Sequence, residues 1–149
     1  MGLSPRNIYE IPADTAEVAK AIFSKSNNEY INLRDKLGPV FTDEQFEKLY
    51  SQQGQEAAWP GMLAWVTILQ QKEGWSDREA AEAVRTRIDV KYLLGLPLKD
   101  EGFHHSALGE FRQRVLAGGQ EGQLLAQLLR VCQEQGYLKT RGRQRSDMF

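Results

Sequence analysis

Apolar residues recur at helical spacing along most of this chain, and glycine, proline and short polar clusters separate the runs. Pro5 and Pro12 oppose helix, so residues 1–12 read as an extended arm. Asp14 or Thr15 then suits the cap of a short helix whose apolar residues are Val18, Ile22 and Phe23. The cluster "SKSNN" predicts a loop. A helix through Ile31, Leu33 and Leu37 follows and stops at Gly38-Pro39. "TDEQFEKLY", residues 42–50, predicts another, with Asp43 and Glu44 at its positive end and Phe46, Leu49 and Tyr50 as its buried stripe.

After the polar linker "SQQGQEAA", Pro60 suits a first helical position. Met62, Leu63, Trp65, Val66, Ile68 and Leu69 make the next helix apolar nearly all round, the pattern of a helix at the centre of a core. Gly74 ends it. "SDRE", Ser76 to Glu79, matches a capping box, and Ala80, Ala81, Ala83, Val84 and Ile88 give the following helix a small-residue face for close packing. A short apolar segment "VKYLLGL" is broken by Gly95 and Pro97 and followed by the polar loop "LKDEG". Ser106 suits the cap of a helix burying Leu108, Phe111 and Val115, which ends at Gly118-Gly119. The last helix, over 121–135, carries Leu124, Leu125, Leu128, Leu129 and Cys132, and Gly136 suits its left-handed cap.

No strand pattern occurs before residue 138. The expected fold class is therefore all-α: a single compact multi-helix domain with a helix-turn-helix-like portion and a basic C-terminal tail. It divides into an arm with a short helix (1–29), the helical domain (30–138) and the tail (139–149). A chain of 149 residues, 41% hydrophobic and 26% charged, supports one such core. Cys132 is the only cysteine, which excludes a disulfide framework and a cysteine metal site. The N-terminus lacks a signal-peptide apolar run, and no run of 18 apolar residues occurs, so the expectation is a cytoplasmic protein with no membrane association.

Charge narrows the candidate chemistry to the second half. The net charge is −1, but residues 75–149 hold 12 Lys/Arg against 10 Asp/Glu, and residues 1–74 hold 7 against 10. The surplus lies in "KTRGRQR", where Lys139, Arg141, Arg143 and Arg145 recur every second residue. An extended segment would carry all four on one face, as a rail for phosphates; a solvated basic tail has the same composition.

For a helix-turn-helix, "LQQKEGWSDREAAEAV" supplies an apolar helix, a glycine turn and a capped helix. The segment after it, "VKYLLGLPL", is too apolar to read a DNA groove. The helix beginning at Ser106, with Arg112, Gln113 and Arg114, has the polar groups for bases or phosphates. Against this, Glu110 and Arg114 form an i,i+4 pair in the favourable order, and Arg112 and Arg114 lie about 200° apart round a helix. Arg78, Arg85 and Arg87 read as solvating their helix. His104-His105 reads as a turn pair rather than a metal site, and Trp59, Trp65 and Trp75 read as core.

Three stretches in order, "EGWSDREAAEAVRTRIDVKYLLGLPL", "GFHHSALGEFRQRVLAGG" and "LKTRGRQRSD", resemble the N-terminal helical region of bacterial insertion-sequence transposases of the DDE type. The upstream "LRDKLGPVFTDEQFEKLY" fits the same family, and the resemblance covers residues 30–147. It implies a module that contacts the double-stranded DNA of element ends, through Ser106, Arg112, Gln113 and Arg114 and along Lys139, Arg141, Arg143 and Arg145. It also implies an RNase-H-like catalytic core beyond, with Asp147 at the position of the first metal-binding carboxylate. The sequence continues only "MF", a departure from the family's continuation, so the expectation is a non-catalytic chain without cofactor, magnesium belonging to a full-length relative. Gly109 is a second departure, at a position where the family often carries a polar residue such as serine. The other reading left open is a protein–protein module, a homodimer or an inhibitor docking on full-length transposase, without DNA binding of its own.

Overall fold

The computed structural model describes residues 10–38, 60–118 and 120–134. Among them are seven helices and no strand: α1 (Ala13–Phe23), α2 (Glu29–Leu37), α3 (Pro60–Glu73), α4 (Asp77–Thr86), α5 (Ile88–Leu94), α6 (Ser106–Gly118) and α7 (Gln120–Glu134). The fold is all-α, as expected. The helix expected over 42–50, Trp59, Gly136 and the basic tail lie outside the described residues.

Helix α3 is the axis of the core, and every residue from Pro60 to Lys72 is buried. Tyr30 and Leu33 of α2, Ala80 and Val84 of α4, Leu93 of α5, Phe111 of α6 and Cys132 of α7 join one apolar cluster with it. Of its buried polar residues, Thr67 donates to the Leu63 carbonyl and Gln70 donates to Asp77. Lys72 reaches Glu29 of α2 and Glu73, and Glu73 also accepts from the Tyr30 hydroxyl. Burial, then the neighbouring Glu73 carboxylate, pushes the Tyr30 phenol well above its ordinary range.

The boundaries follow local chemistry. Asn28 caps α2 by accepting from the backbone N–H groups of Tyr30 and Ile31. Gly74 turns the chain out of α3 with φ +75°, a conformation that favours glycine. The capping box of α4 is complete: Ser76 Oγ accepts from the Glu79 N–H at 3.1 Å, and Glu79 Oε1 accepts from the Ser76 N–H at 2.8 Å.

Three expectations are corrected. Ile88, expected on the small-residue face of α4, instead opens a separate helix, α5, which runs into "VKYLLGL", is buried from Asp89 to Leu94 and is closed by Gly95 in the left-handed conformation. In α1 neither Asp14 nor Thr15 is the N-cap: Pro12 takes that position without a side-chain cap, and α1 starts at Ala13. Thr15 instead donates its hydroxyl to the Leu96 carbonyl, 2.6 Å away and buried. The buried face therefore runs through Thr15 and Ala19, and Ile22 is left 55% exposed. Third, Ser106 is the first helical residue of α6 rather than a cap outside it. Its N–H donates to Nδ1 of His104 at 3.2 Å, and its hydroxyl lies 2.8 Å from the same nitrogen. No described helix is long and apolar enough to cross a membrane.

Candidate nucleic-acid interface

Helix α6 buries Leu108, Phe111 and Val115 against the core, which turns Ser106, Glu110 and Gln113 to solvent. The i, i+3, i+7 spacing of its apolar residues sets this orientation. A long-range ion pair then fixes it. Arg112 Nη1 and Nη2 donate to Asp77 Oδ1 and Oδ2, both at 2.9 Å, and Nη1 also donates to Gln70 Oε1 at 3.1 Å. Gln70 Nε2 donates to Asp77 Oδ1 at 2.8 Å, so the three side chains close a triangle between α3, α4 and α6. The Arg112 guanidinium holds the Asp77 carboxyl below the usual carboxylate range, against the opposing effect of burial. Arg112 thus faces α4 with its fork of donors matched to a carboxylate, and its side chain stays partly open to solvent.

Arg114 lies on the other side of α6, where Nη2 meets Glu110 Oε2 at 3.1 Å in the expected i,i+4 pair. Both side chains are partly open to solvent, so the pair is screened and weak. Lys139, Arg141, Arg143, Arg145 and Asp147 lie outside the described residues.

The arginines of the preceding helix differ more than the sequence suggests. Arg85 pairs with Glu82 on the α4 surface. Arg87 does not merely solvate: it pairs with buried Asp89 at 2.7 Å and stands over the rings of Tyr30 and Trp75. Asn28 donates to the same carboxylate, tying α2 to the start of α5. Arg78 is exposed and makes no hydrogen bond or ion pair among the described residues.

Between α4 and the loop before α6 lies an open cleft of about 260 Å³, lined by Arg78, Glu82, Arg85, Glu101, His104 and His105 among others. The two histidine rings stack with centroids 4.2 Å apart. Desolvation, then Arg78 and His104, lower the His105 pKa, while Asp77 opposes them. Sequence reasoning missed this grouping. The adjacent histidines are visible, but nothing local brings them beside arginines 19 to 27 positions earlier. Among the described residues, no group of three or more His, Cys, Asp or Glu side chains is placed to hold a metal ion.

Residues 17–114, more than half of the chain, match the family model described as "Transposase domain (DUF772)". The match runs from α1 into α6 and includes both Asp77 and Arg112. No curated protein and no solved structure matches the chain.

Proposed function

The chain belongs to the transposase domain (DUF772) family, and from that premise we propose that it is a DNA-contacting helical module of an insertion-sequence transposase of the DDE type, recognising element ends. The supporting observation is the orientation of α6. Its apolar stripe and the Arg112–Asp77 pair leave Ser106 and Gln113 exposed and Arg114 partly exposed. On this reading Ser106 and Gln113 contact base edges or neighbouring phosphates, and Arg114 exchanges its exposed Glu110 partner for a phosphate. Lys139, Arg141, Arg143 and Arg145 track the backbone. Arg112 positions α6 without touching DNA. Buried α5 is left out of the interface, since its side chains face the core.

The reading assigns no strand cleavage to the described residues. Two-metal phosphoryl transfer needs several carboxylates converging on the ions, and the reading places that chemistry in the RNase-H-like core that the resemblance implies. Asp147 is the family's metal-binding position by resemblance, and no step is derived through it.

A protein–protein role is favoured by one specific observation. Five described surface cations face an acid, in Lys20–Asp35, Arg85–Glu82, Arg87–Asp89, Arg112–Asp77 and Arg114–Glu110. The described residues hold 15 Asp/Glu against 13 Lys/Arg, so they carry no net positive charge. Gel shift on the element's inverted repeats, with light scattering for mass, separates the readings. A salt-sensitive complex supports the DNA module; a stable dimer with no shift supports the protein module.

A further inference from the structure

The cleft between α4 and the 101–105 loop is not used by the reading above, and its charge balance is unusual. Arg78 and Arg85 supply two positive charges, and Glu82 and Glu101 supply two negative ones. A proton on His105, stacked on His104, therefore adds a positive charge to this balanced lining, and Asp77 lies close enough to act on it as a further negative one.

Arg78 is the natural first contact. It is exposed, it has no partner among the described residues, and its guanidinium is suited to two oxygens of one phosphate. His105 shares the cleft with it.

We propose that this cleft is a second anchor for a phosphate of the DNA backbone, engaged when His105 carries a proton beside Arg78. The proposal rests on the DNA-contacting reading and adds a pH dependence to it. Asp77 and Arg78 of α4 and His104 of the loop act on His105, and Glu82 and Arg85 of α4 and Glu101 of the loop line the same cleft. Desolvation, then the Arg78 guanidinium, disfavours its protonation in the free protein. A bound phosphate would offset Arg78 and favour the proton. Linkage then requires phosphate affinity to rise as pH falls through the titration of His105. A midpoint raised by about one pH unit corresponds to about a tenfold tightening.

The test is an NMR titration of both imidazoles in the full chain, with and without inorganic phosphate, beside duplex binding measured from about pH 8 to about pH 5.5. Phosphate should raise the His105 midpoint, and Arg78→Gln should abolish that rise. Duplex affinity should increase about tenfold across the range, and His105→Gln should flatten it. A His105 midpoint indifferent to phosphate, or equal pH dependence in wild type and His105→Gln, overturns the cleft. If phosphate raises the midpoint but no duplex binds at any pH, the anion site stands and the DNA reading fails. PH-independent duplex binding with unmoved histidines overturns the cleft and leaves the DNA reading intact.

Discussion

Arg112 of α6 and Asp77 of α4, 35 positions apart in sequence, meet in a two-pronged ion pair with both contacts at 2.9 Å. Asp77 is also the first residue of α4, where the helix end favours a negative charge. The pair sets the roll of α6 on the core and so decides which of its polar residues face outward.

Replacing Arg112 with glutamine should cost about 1–2 kcal/mol at neutral pH, because the pair is bidentate but partly open to solvent. The Asp77 carboxyl is held below its ordinary range in the folded state. Its contribution is therefore present above the unfolded-state value of about 4 and is lost as pH falls through the folded one. Denaturant unfolding at neutral and acid pH checks this. The difference between wild type and Arg112→Gln should shrink in acid, and a constant difference would argue against the assignment.

The capping box gives a prediction confined to one helix end. Ser76→Ala removes the acceptor for the Glu79 N–H and should cost about 1 kcal/mol, while Ser76→Asp keeps an acceptor and most of the stability. Thermal melts of the two variants provide the comparison. Equal losses would mean that the hydroxyl contributes by some route other than capping.

Gly109 lies inside α6 without a steric reason for glycine. A Cβ there would find Arg112 Nη2 and Asp77 Oδ2 no closer than 3.9 Å. Gly109→Ala should stabilise the fold by about 0.5–1 kcal/mol by restricting the unfolded chain and favouring helix. A destabilised variant would show that the Arg112–Asp77 pair needs more room than the geometry indicates.

Cys132 is fully buried, and burial pushes its thiol up to about 11. Because the thiolate is the reactive form, alkylation of the native protein near pH 8 should be slow and should accelerate sharply in denaturant. Rapid labelling of the native chain would contradict the burial of this face of α7.

Much of this fold is legible in the sequence where a signal is local. The all-round apolar character of α3, the "SDRE" box and Gly74 each match the element they imply. Helix α5 is harder to read: seven residues span about two turns, and a segment buried on every side has no periodicity to reveal. In α1 the larger apolar residue Ile22 suggests the wrong face, because the buried face is chosen by the Leu96 carbonyl, which needs the Thr15 hydroxyl. The candidate site divides in the same way. The Glu110–Arg114 pair follows from i,i+4 spacing, whereas Arg112–Asp77 and the cleft joining Arg78 to His105 depend on tertiary packing.

The most direct test of the DNA-contacting reading is the salt dependence of binding to duplexes carrying the element's ends. Affinity should fall steeply as salt rises, and removing residues 139–149 should reduce the logarithmic slope by roughly 3–4, about 0.9 for each of four lost phosphate contacts. Arg114→Gln should reduce it by about one, and Arg112→Gln, where folded, should leave it unchanged. A full chain that binds no duplex, or whose slope survives loss of the tail and of Arg114, contradicts the account.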